Sequence, residues 1–229
     1  MLTLNGHPCR SHTIFDMTNA RIQRWLVLGS LIIWWSLAYW LWPARPIWAI
    51  GLVFVPFVIT PSLLLFQCFL AARANRHDAV PQVGWISWIQ VALAEWGVAN
   101  RVFSYWQPFR HHAIADRTAM TEGQRGFVLV HGFFCNRALW TPWMQALNAQ
   151  GRAFVAVDLE PAFGSISRYA DTIEAAIAQI ERATGLPPVL VGHSMGGLAI
   201  RAWAQKYASK PHTLQRVHRI FTIGTPHHG

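Results

Sequence analysis

The sequence predicts an α/β fold with a parallel sheet in its second half, preceded by a hairpin of two helices long enough to cross a membrane. Long uncharged runs in the first half indicate the hairpin, and short apolar strands that alternate with amphipathic helices in the second half indicate the sheet. Asp, Glu, Lys and Arg make up 13 % of the 229 residues, whereas soluble domains carry about 25 %. We therefore expect part of the chain to lie in lipid.

The first half contains two uncharged runs, at residues 25–42 and 47–72, joined by the helix-breaking sequence PARP. A helix needs about 20 apolar residues to cross the roughly 30 Å hydrocarbon core of a bilayer. The pattern predicts a membrane anchor over residues 1–76, with helices at about 25–42 and 47–72. Pro56 and Pro61 interrupt the second helix, which membranes tolerate when neighbours satisfy the freed carbonyls. A kink or a re-entrant loop at these residues is the alternative. The alternatives are a signal peptide, whose apolar core is shorter, and a buried hairpin of a soluble protein.

The basic residues that flank the two runs predict the orientation of the hairpin, because Lys and Arg accumulate on the cytoplasmic side of membrane helices. Arg45 alone lies in the turn, and five arginines lie at the outer ends, namely Arg10, Arg21, Arg24, Arg73 and Arg76. Both termini are therefore predicted to be cytoplasmic, with the second half of the chain in the cytoplasm. The formal net charge of +9 suits membrane lipids as partners. The chain has no run of consecutive basic residues, so nucleic acid is not predicted as a partner.

Residues 77–124 are predicted to form an amphipathic helix followed by a linker. Apolar residues recur at helical spacing within residues 83–99, from Trp85 to Trp96, while polar residues interrupt any continuous run. Such a helix lies on a membrane surface or against the next domain, and an ordinary packing helix of the second domain is the alternative. The mixed, polar residues 100–124 predict the linker.

Residues 125–229 alternate strands with helices. Apolar strands are predicted at 127–130, 153–157, 189–191 and 220–223. Helices are predicted from Thr141, at 167–182 and at 196–208. Strand–helix–strand units of this kind form right-handed crossovers, and the sheet that they build is parallel.

The sequence GHSMG, from Gly192 to Gly196, matches the G-x-S-x-G motif that places a serine nucleophile between a strand and a helix. The turn is so sharp that the residues two before and two after the serine must be small, and Gly192 and Gly196 meet this need. Ser194 is predicted to be strained, with its hydroxyl exposed at the N-terminus of a helix, where the helix dipole favours developing negative charge. The alternative is a glycine-rich turn whose serine only caps the helix.

A serine that attacks a carbonyl group needs two backbone amides to hold the oxyanion. The amide of Met195, directly after the serine, is one candidate, and the amide of Phe133, after the first predicted strand, is the other. His131 is predicted to be structural, as a buried imidazole bonded to loop backbone, and Cys135 to be a small buried residue. No metal site is predicted, because the three cysteines are far apart and fit no C-x-x-C spacing.

Four motifs carry a resemblance to a known family: VHGF at 130–133, LEPAFGSI at 159–166, GHSMGG at 192–197 and GTPHHG at 224–229. Over residues 125–229 the chain resembles the α/β-hydrolase superfamily, and more narrowly its bacterial lipase and esterase branch. The resemblance implies part of an α/β-hydrolase sheet with flanking helices. It also implies a serine hydrolase without a cofactor, which acts on esters or lipid-like small molecules through an acyl-enzyme on Ser194.

The catalytic triad of that family runs Ser, then Asp or Glu, then His along the chain, and this sequence departs from the pattern. No Asp or Glu follows Ser194, and the later histidines are His212, His218, His227 and His228. The resemblance assigns His227 and His228 to a loop near the site and not to the catalytic base. We therefore expect the chain to be the N-terminal part of a longer protein, without the triad acid and base. A non-catalytic, degenerate hydrolase and an acyltransferase that uses the same serine are the alternatives.

Overall fold

A computed structural model describes residues 18–77, 83–119, 123–209 and 213–228. These residues divide into two compact units: residues 23–110 form an apolar helical unit, and the other described residues form an α/β unit. Four residues used in the sequence analysis lie outside the described residues, namely Cys9, Arg10, His212 and Gly229. The domain limits predicted from the sequence remain predictions, because the two units are defined by contacts and not by independent folding.

The two uncharged runs form two long helices, α1 (Asn19–Leu41) and α2 (Pro46–Ala74). Pro46 lies in the first turn of α2, where the missing N–H costs nothing, and Pro56 and Pro61 lie inside a helix that is continuous. Both helices are long and apolar enough to cross a membrane, and only 6 % of the most apolar window of each is buried. A core helix of a soluble protein passes the same length test, but it would be mostly buried.

The third helix of this unit, α3 (Trp85–Ala99), packs on α2. Ala92 is buried, and the ring of Trp96 meets the ring of Phe57 edge-on at 6.1 Å between centroids. The helix therefore belongs to the apolar unit and not to the α/β unit that follows in sequence.

The predicted linker differs from the structure in its first ten residues, which are helical. A π-helical segment (Asn100–Trp106) and a short helix α4 (Gln107–Phe109) continue α3. The buried side chain of Gln107 explains the difference, because its Oε1 accepts a hydrogen bond from Nε2 of the buried Gln23 at 2.9 Å. A polar group that is buried in an apolar unit needs such a partner.

The α/β unit is built on a four-stranded parallel sheet, as predicted. The strands are β1 (Phe127–Val130), β2 (Phe154–Val157), β3 (Val189–His193) and β4 (Arg219–Ile223), in the spatial order β2-β1-β3-β4. The connecting helices are α5 (Thr141–Ala149), α6 (Ala170–Thr184) and α7 (Met195–Tyr207). Both faces of the sheet are covered, which explains why the inner strands read as continuous apolar runs.

Alternate residues of each inner strand contribute to two different cores, because successive side chains of a strand point to opposite faces. In β1, Val128 and Val130 pack against α6 and α7, whereas Leu129 packs on the face that α5 covers. The outermost strand β4 is exposed along its whole length, in agreement with the exposed edge that four strands imply.

The strand order brings the loops that carry the site residues to one edge of the sheet. After β1 the chain goes to β2 on one side of the sheet, and after β3 it goes to β4 on the other side. The loops after β1 and β3 therefore diverge, and the gap between these two strands is a topological switch point. Ligands of open α/β sheets bind at such a point, outside the carboxyl ends of the strands. Residues 131–136, 158–166, 194 and 224–228 follow the four carboxyl ends and therefore meet at this edge.

Candidate active site

Ser194 forms the turn between β3 and α7, and its backbone lies in a strained region with φ 52° and ψ −124°. The turn is held from both sides: the Ser194 N–H donates to the carbonyl oxygen of Ile223 at 2.8 Å, and the Ser194 carbonyl accepts from Thr225 Oγ1 at 3.0 Å. The serine side chain makes no capping hydrogen bond to α7. The half-buried serine side chain therefore does not act as a helix cap.

The glycines of the motif are required by close backbone contacts. A Cβ atom on Gly192 would lie 2.8 Å from the Gly197 nitrogen. A Cβ on Gly196 would overlap the carbonyl oxygen of Val130 and lie 2.7 Å from that of His131. Only a residue without a side chain at position 196 allows α7 to start this close to the end of β1.

The loop after β1 lies directly beside Ser194. A Cβ on Gly132 would be 2.9 Å from the Cβ of Ser194. The loop then turns at Phe133 and Phe134, where Phe134 has a φ of 54°, and the Cys135 N–H donates to the Gly132 carbonyl at 3.3 Å. The amide of Phe133 therefore belongs to a tight turn next to the serine.

His131 joins the loop after β1 to the loop after β2. Its Nε2 accepts a hydrogen bond from the Leu159 N–H at 2.9 Å, so that its Nδ1 carries the proton and donates to the Gly132 carbonyl at 2.8 Å. Burial lowers the pKa of this imidazole, and only the weaker influences of the Gly132 hydrogen bond and of Asp158 raise it. The prediction that His131 is a buried structural residue is confirmed, as is the burial of Cys135.

The sequence analysis missed three residues that position the site. Gly132 and Thr225 lie inside quoted motifs, but the sequence does not show that they contact the nucleophile turn. Arg137 is buried, and its guanidinium donates to the carbonyls of Ala156 and Ile114 and pairs with Asp116. No local pattern distinguishes such an arginine from an exposed one.

The described histidines after Ser194 lie at opposite ends of the parallel strands. His218 directly precedes β4 and lies at the amino ends of the parallel strands, opposite Ser194. His227 and His228 follow β4 on the side of Ser194, and His227 Nε2 lies 3.1 Å from Thr222 Oγ1. At the same edge, Glu160 in the loop after β2 has its pKa raised, chiefly by burial. No three His, Cys, Asp or Glu side chains of the described ranges cluster as a metal site.

An aromatic cluster borders the nucleophile turn. Its members are Phe133 and Phe134 from the loop after β1 and Phe163 from the loop after β2, with ring centroids 5.9 to 6.3 Å apart. Phe133 is 53 % exposed and Phe163 is 67 % exposed. The loops after β1 and β2 thus form an exposed apolar surface at the carboxyl edge of the sheet.

We expect Gly196→Ala to lower the free energy of unfolding by about 1–3 kcal/mol, the usual cost of overpacking, because the added methyl overlaps the end of β1. Thermal or urea unfolding measures the change. Gly97→Ala is the matched control, since its Cβ would meet nothing within 4 Å in a regular helix. Equal stability of the two variants would show that α7 can move away from β1.

We expect the stability of the α/β unit to fall as the pH drops below about 6.5, the pKa of an unfolded histidine. The lowered pKa of His131 means that the unfolded state binds the proton more readily. Neutral His131 therefore contributes its full share to the free energy of unfolding above that pH. This share is lost as the pH falls toward the folded-state pKa. His131→Gln, which can accept and donate without titrating, should flatten the fall in Tm, whereas exposed His228→Gln should not. Parallel curves for wild type and His131→Gln would contradict the assignment.

Comparisons with known proteins agree with the fold of the α/β unit. A family model described as the alpha/beta hydrolase fold matches residues 127–229. The probable esterase PIR7A of Oryza sativa subsp. indica, like that of subsp. japonica, is 32 % identical over 100 residues, which cover 40 % of this chain and 37 % of the relative. The chain thus spans little more than a third of the length of these relatives.

Two solved structures of lipase BlEst2 from Bacillus licheniformis are also similar. The mature form matches with a TM-score of 0.42 and 22 % identity, over 51 % of this chain and 46 % of that one. The propeptide form matches with a TM-score of 0.39 and 23 % identity, over 50 % and 25 %. The parallel sheet with its flanking helices and the family match lead to one conclusion: residues 127–229 have an α/β-hydrolase-like fold, and this part of the chain is similar to a probable esterase.

Proposed function

We propose that the protein is a membrane-anchored serine hydrolase of carboxylic esters and that Ser194 is its nucleophile. The observation that carries the proposal is the strained turn at Ser194, which lies against the Gly132–Phe133 loop. A conformation that costs of order 1–3 kcal/mol persists only where the surrounding structure enforces it, and such strain concentrates at active sites. The esterase relatives support the reaction class.

In the proposed reaction the Ser194 oxygen attacks the acyl carbon of an ester and forms a tetrahedral adduct. The amides of Phe133 and Met195 donate hydrogen bonds to the negatively charged carbonyl oxygen. The adduct then expels the alcohol, which takes up a proton, and leaves an acyl-enzyme on Ser194. Attack by water on this ester releases the acid and returns a proton to the serine.

The chain by itself is expected to be a slow enzyme. Among the described residues no side chain hydrogen-bonds to the Ser194 hydroxyl, and a serine hydroxyl without an adjacent base is a weak nucleophile. Serine hydrolases that lack triad members keep only about 10³–10⁴-fold acceleration over water, from the oxyanion hole and substrate binding.

We expect a fluorophosphonate probe to label the protein slowly and to label Ser194→Ala not at all, because the phosphonyl group traps the nucleophilic hydroxyl. Intact mass spectrometry after long incubation measures the adduct. Ser165→Ala is the control, since that serine is exposed and its hydroxyl contacts Ser167. Equal labelling of wild type and Ser194→Ala would mean that the nucleophile is another residue. If neither wild type nor Ser165→Ala reacts, the non-catalytic alternative is favoured.

The aromatic cluster supports an apolar acyl group as part of the substrate. Phe133 and Phe163 are exposed and in ring contact at the sheet edge where Ser194 also lies. An alkyl chain that covers them gains free energy roughly in proportion to the apolar area removed from water. The substrate class that we propose is therefore esters with an extended apolar acyl chain, including lipid-like molecules.

We expect Phe163→Ala to reduce the preference for long-chain over short-chain fluorophosphonates by about tenfold, equivalent to roughly 1.4 kcal/mol of lost apolar contact. The ratio of the two labelling rates is measured, so changes in Ser194 reactivity cancel. Leu214→Ala is the control, because Leu214 is equally exposed but precedes β4 at the opposite edge of the sheet. An unchanged ratio in Phe163→Ala would remove the cluster from the acyl site.

We propose that α1 and α2 form a membrane hairpin with both ends in the cytoplasm. The apolar side chains of the two helices are exposed in the apolar unit, for example Trp40 and Ile47 at the turn, and such a surface in water would be very costly. Arg21, Arg24 and Arg73 lie at the outer ends of the helices, which favours the cytoplasmic side for those ends.

We expect the protein to stay in the membrane pellet after carbonate washing. Replacing exposed Ile33 and Val58 by Asp should release it, because a carboxylate at the centre of a span costs about 2.5–3.5 kcal/mol, whereas Thr172→Asp on α6 should not. Release of the unmodified protein would rule out integral insertion.

A reporter that works only in the periplasm, fused after Arg76, should remain inactive, because the end of α2 is expected in the cytoplasm. Activity of the reporter would reverse the proposed orientation.

A further inference from the structure

The first turn of α1 contributes a buried polar residue to the α/β unit. Asn19 is 1 % exposed and belongs, with the rest of the turn up to Ile22, to the α/β unit and not to the apolar unit. An asparagine at the start of an apolar helix ordinarily caps its own helix. Here its side-chain amide is directed to other segments of the chain.

The hydrogen bonds of Asn19 reach both loops that border Ser194. Its Nδ2 donates to the carbonyl of Cys135 at 2.8 Å and, more weakly, to the carbonyl of Leu159 at 3.5 Å. Its backbone N–H donates to Oε1 of Glu160 at 3.1 Å. One residue thus connects the Gly132–Cys135 turn with the loop after β2.

We propose that Asn19 is a positioning residue for the oxyanion loop. Cys135 ends the turn that contains Phe133, and the turn is closed by the hydrogen bond from the Cys135 N–H to the Gly132 carbonyl. The side-chain amide of Asn19 binds the carbonyl of Cys135 and thereby holds the end of the turn. The backbone amide of Phe133, inside the turn, is therefore fixed relative to Ser194. The inference rests on the proposed function for the role of Phe133, but the contacts of Asn19 are independent of it.

The connection differs from ordinary helix packing because it is made by a directional group. His131 already links the two loops, because it bonds to the Gly132 carbonyl and to the Leu159 amide. Asn19, which precedes both loops in the sequence, adds a second link between them. A buried donor that loses its acceptor, or the reverse, costs its full desolvation penalty. Replacing the amide of Asn19 should therefore loosen the turn rather than shift it to a new stable position.

The test compares Asn19→Asp and Asn19→Leu with the wild type in the whole chain. Asp keeps the shape of Asn but cannot donate when ionised, and Leu removes all polarity at similar volume. Ser30→Ala is the control, because Ser30 lies on α1 and its hydroxyl bonds only to the Val27 carbonyl of the same helix.

The first readout is alkylation of the buried Cys135 thiol, followed by peptide mass spectrometry. Both Asn19 variants should raise its rate by about tenfold, because the turn opens more often when one buried hydrogen bond is lost. Hydrogen exchange of α6 is measured in parallel. An unchanged alkylation rate of Cys135 would overturn the proposal, because it would show that Asn19 does not hold the turn. A faster alkylation accompanied by equally faster hydrogen exchange in α6 would also overturn it, because it would show only a general loss of stability.

The second readout separates the rate constant of fluorophosphonate inactivation from the affinity for the probe. Both Asn19 variants should lower the rate constant by about 10- to 100-fold, as expected for a misplacement near 1 Å, with the affinity unchanged. A lower affinity with an unchanged rate constant would contradict a role at the oxyanion. If Ser194 reacts in no variant, including the wild type, the proposed function fails and alkylation of Cys135 alone decides whether Asn19 holds the turn.

Discussion

The whole candidate site depends on one steric constraint, the backbone contact between the end of β1 and the start of α7. Gly196 lies against the carbonyl oxygens of Val130 and His131, and Gly132 lies against the side chain of Ser194. Because neither glycine has room for a Cβ, α7 begins as close to β1 as backbone atoms permit. The serine and the loop after β1 are consequently neighbours whatever the rest of the chain does.

A second level of order comes from polar groups buried in the loops. His131, Asn19 and Arg137 are each nearly inaccessible, and each is bound to backbone atoms of another loop or strand. A buried polar group without partners is costly, so these contacts can only be lost together with local packing. Loops that would otherwise be mobile are therefore held in one arrangement at the carboxyl edge of the sheet.

The apolar unit is governed by a different force. Only 6 % of the most apolar window of each of its two long helices is buried in the protein. The polar contacts of the unit are concentrated near the ends of the helices, as in the pair Gln23–Gln107. Within a bilayer only backbone groups need internal hydrogen bonds, and a helix satisfies these by itself. The proposed anchor thus needs no core, whereas the α/β unit needs two.

The sequence by itself determined the elements and their order. Apolar runs of four or five residues predicted three strands to within one residue of their observed starts, and the long uncharged runs predicted α1 and α2. The G-x-S-x-G pattern predicted the strand–helix turn at Ser194. These features follow from local periodicity and from glycine sterics, which act over a few residues. Tertiary structure alone decided that residues 100–109 are helical, and that Thr225 and Asn19 hold the loops around Ser194. Their partners are distant in sequence, and a hydrogen bond between distant residues leaves no periodic signal in the chain.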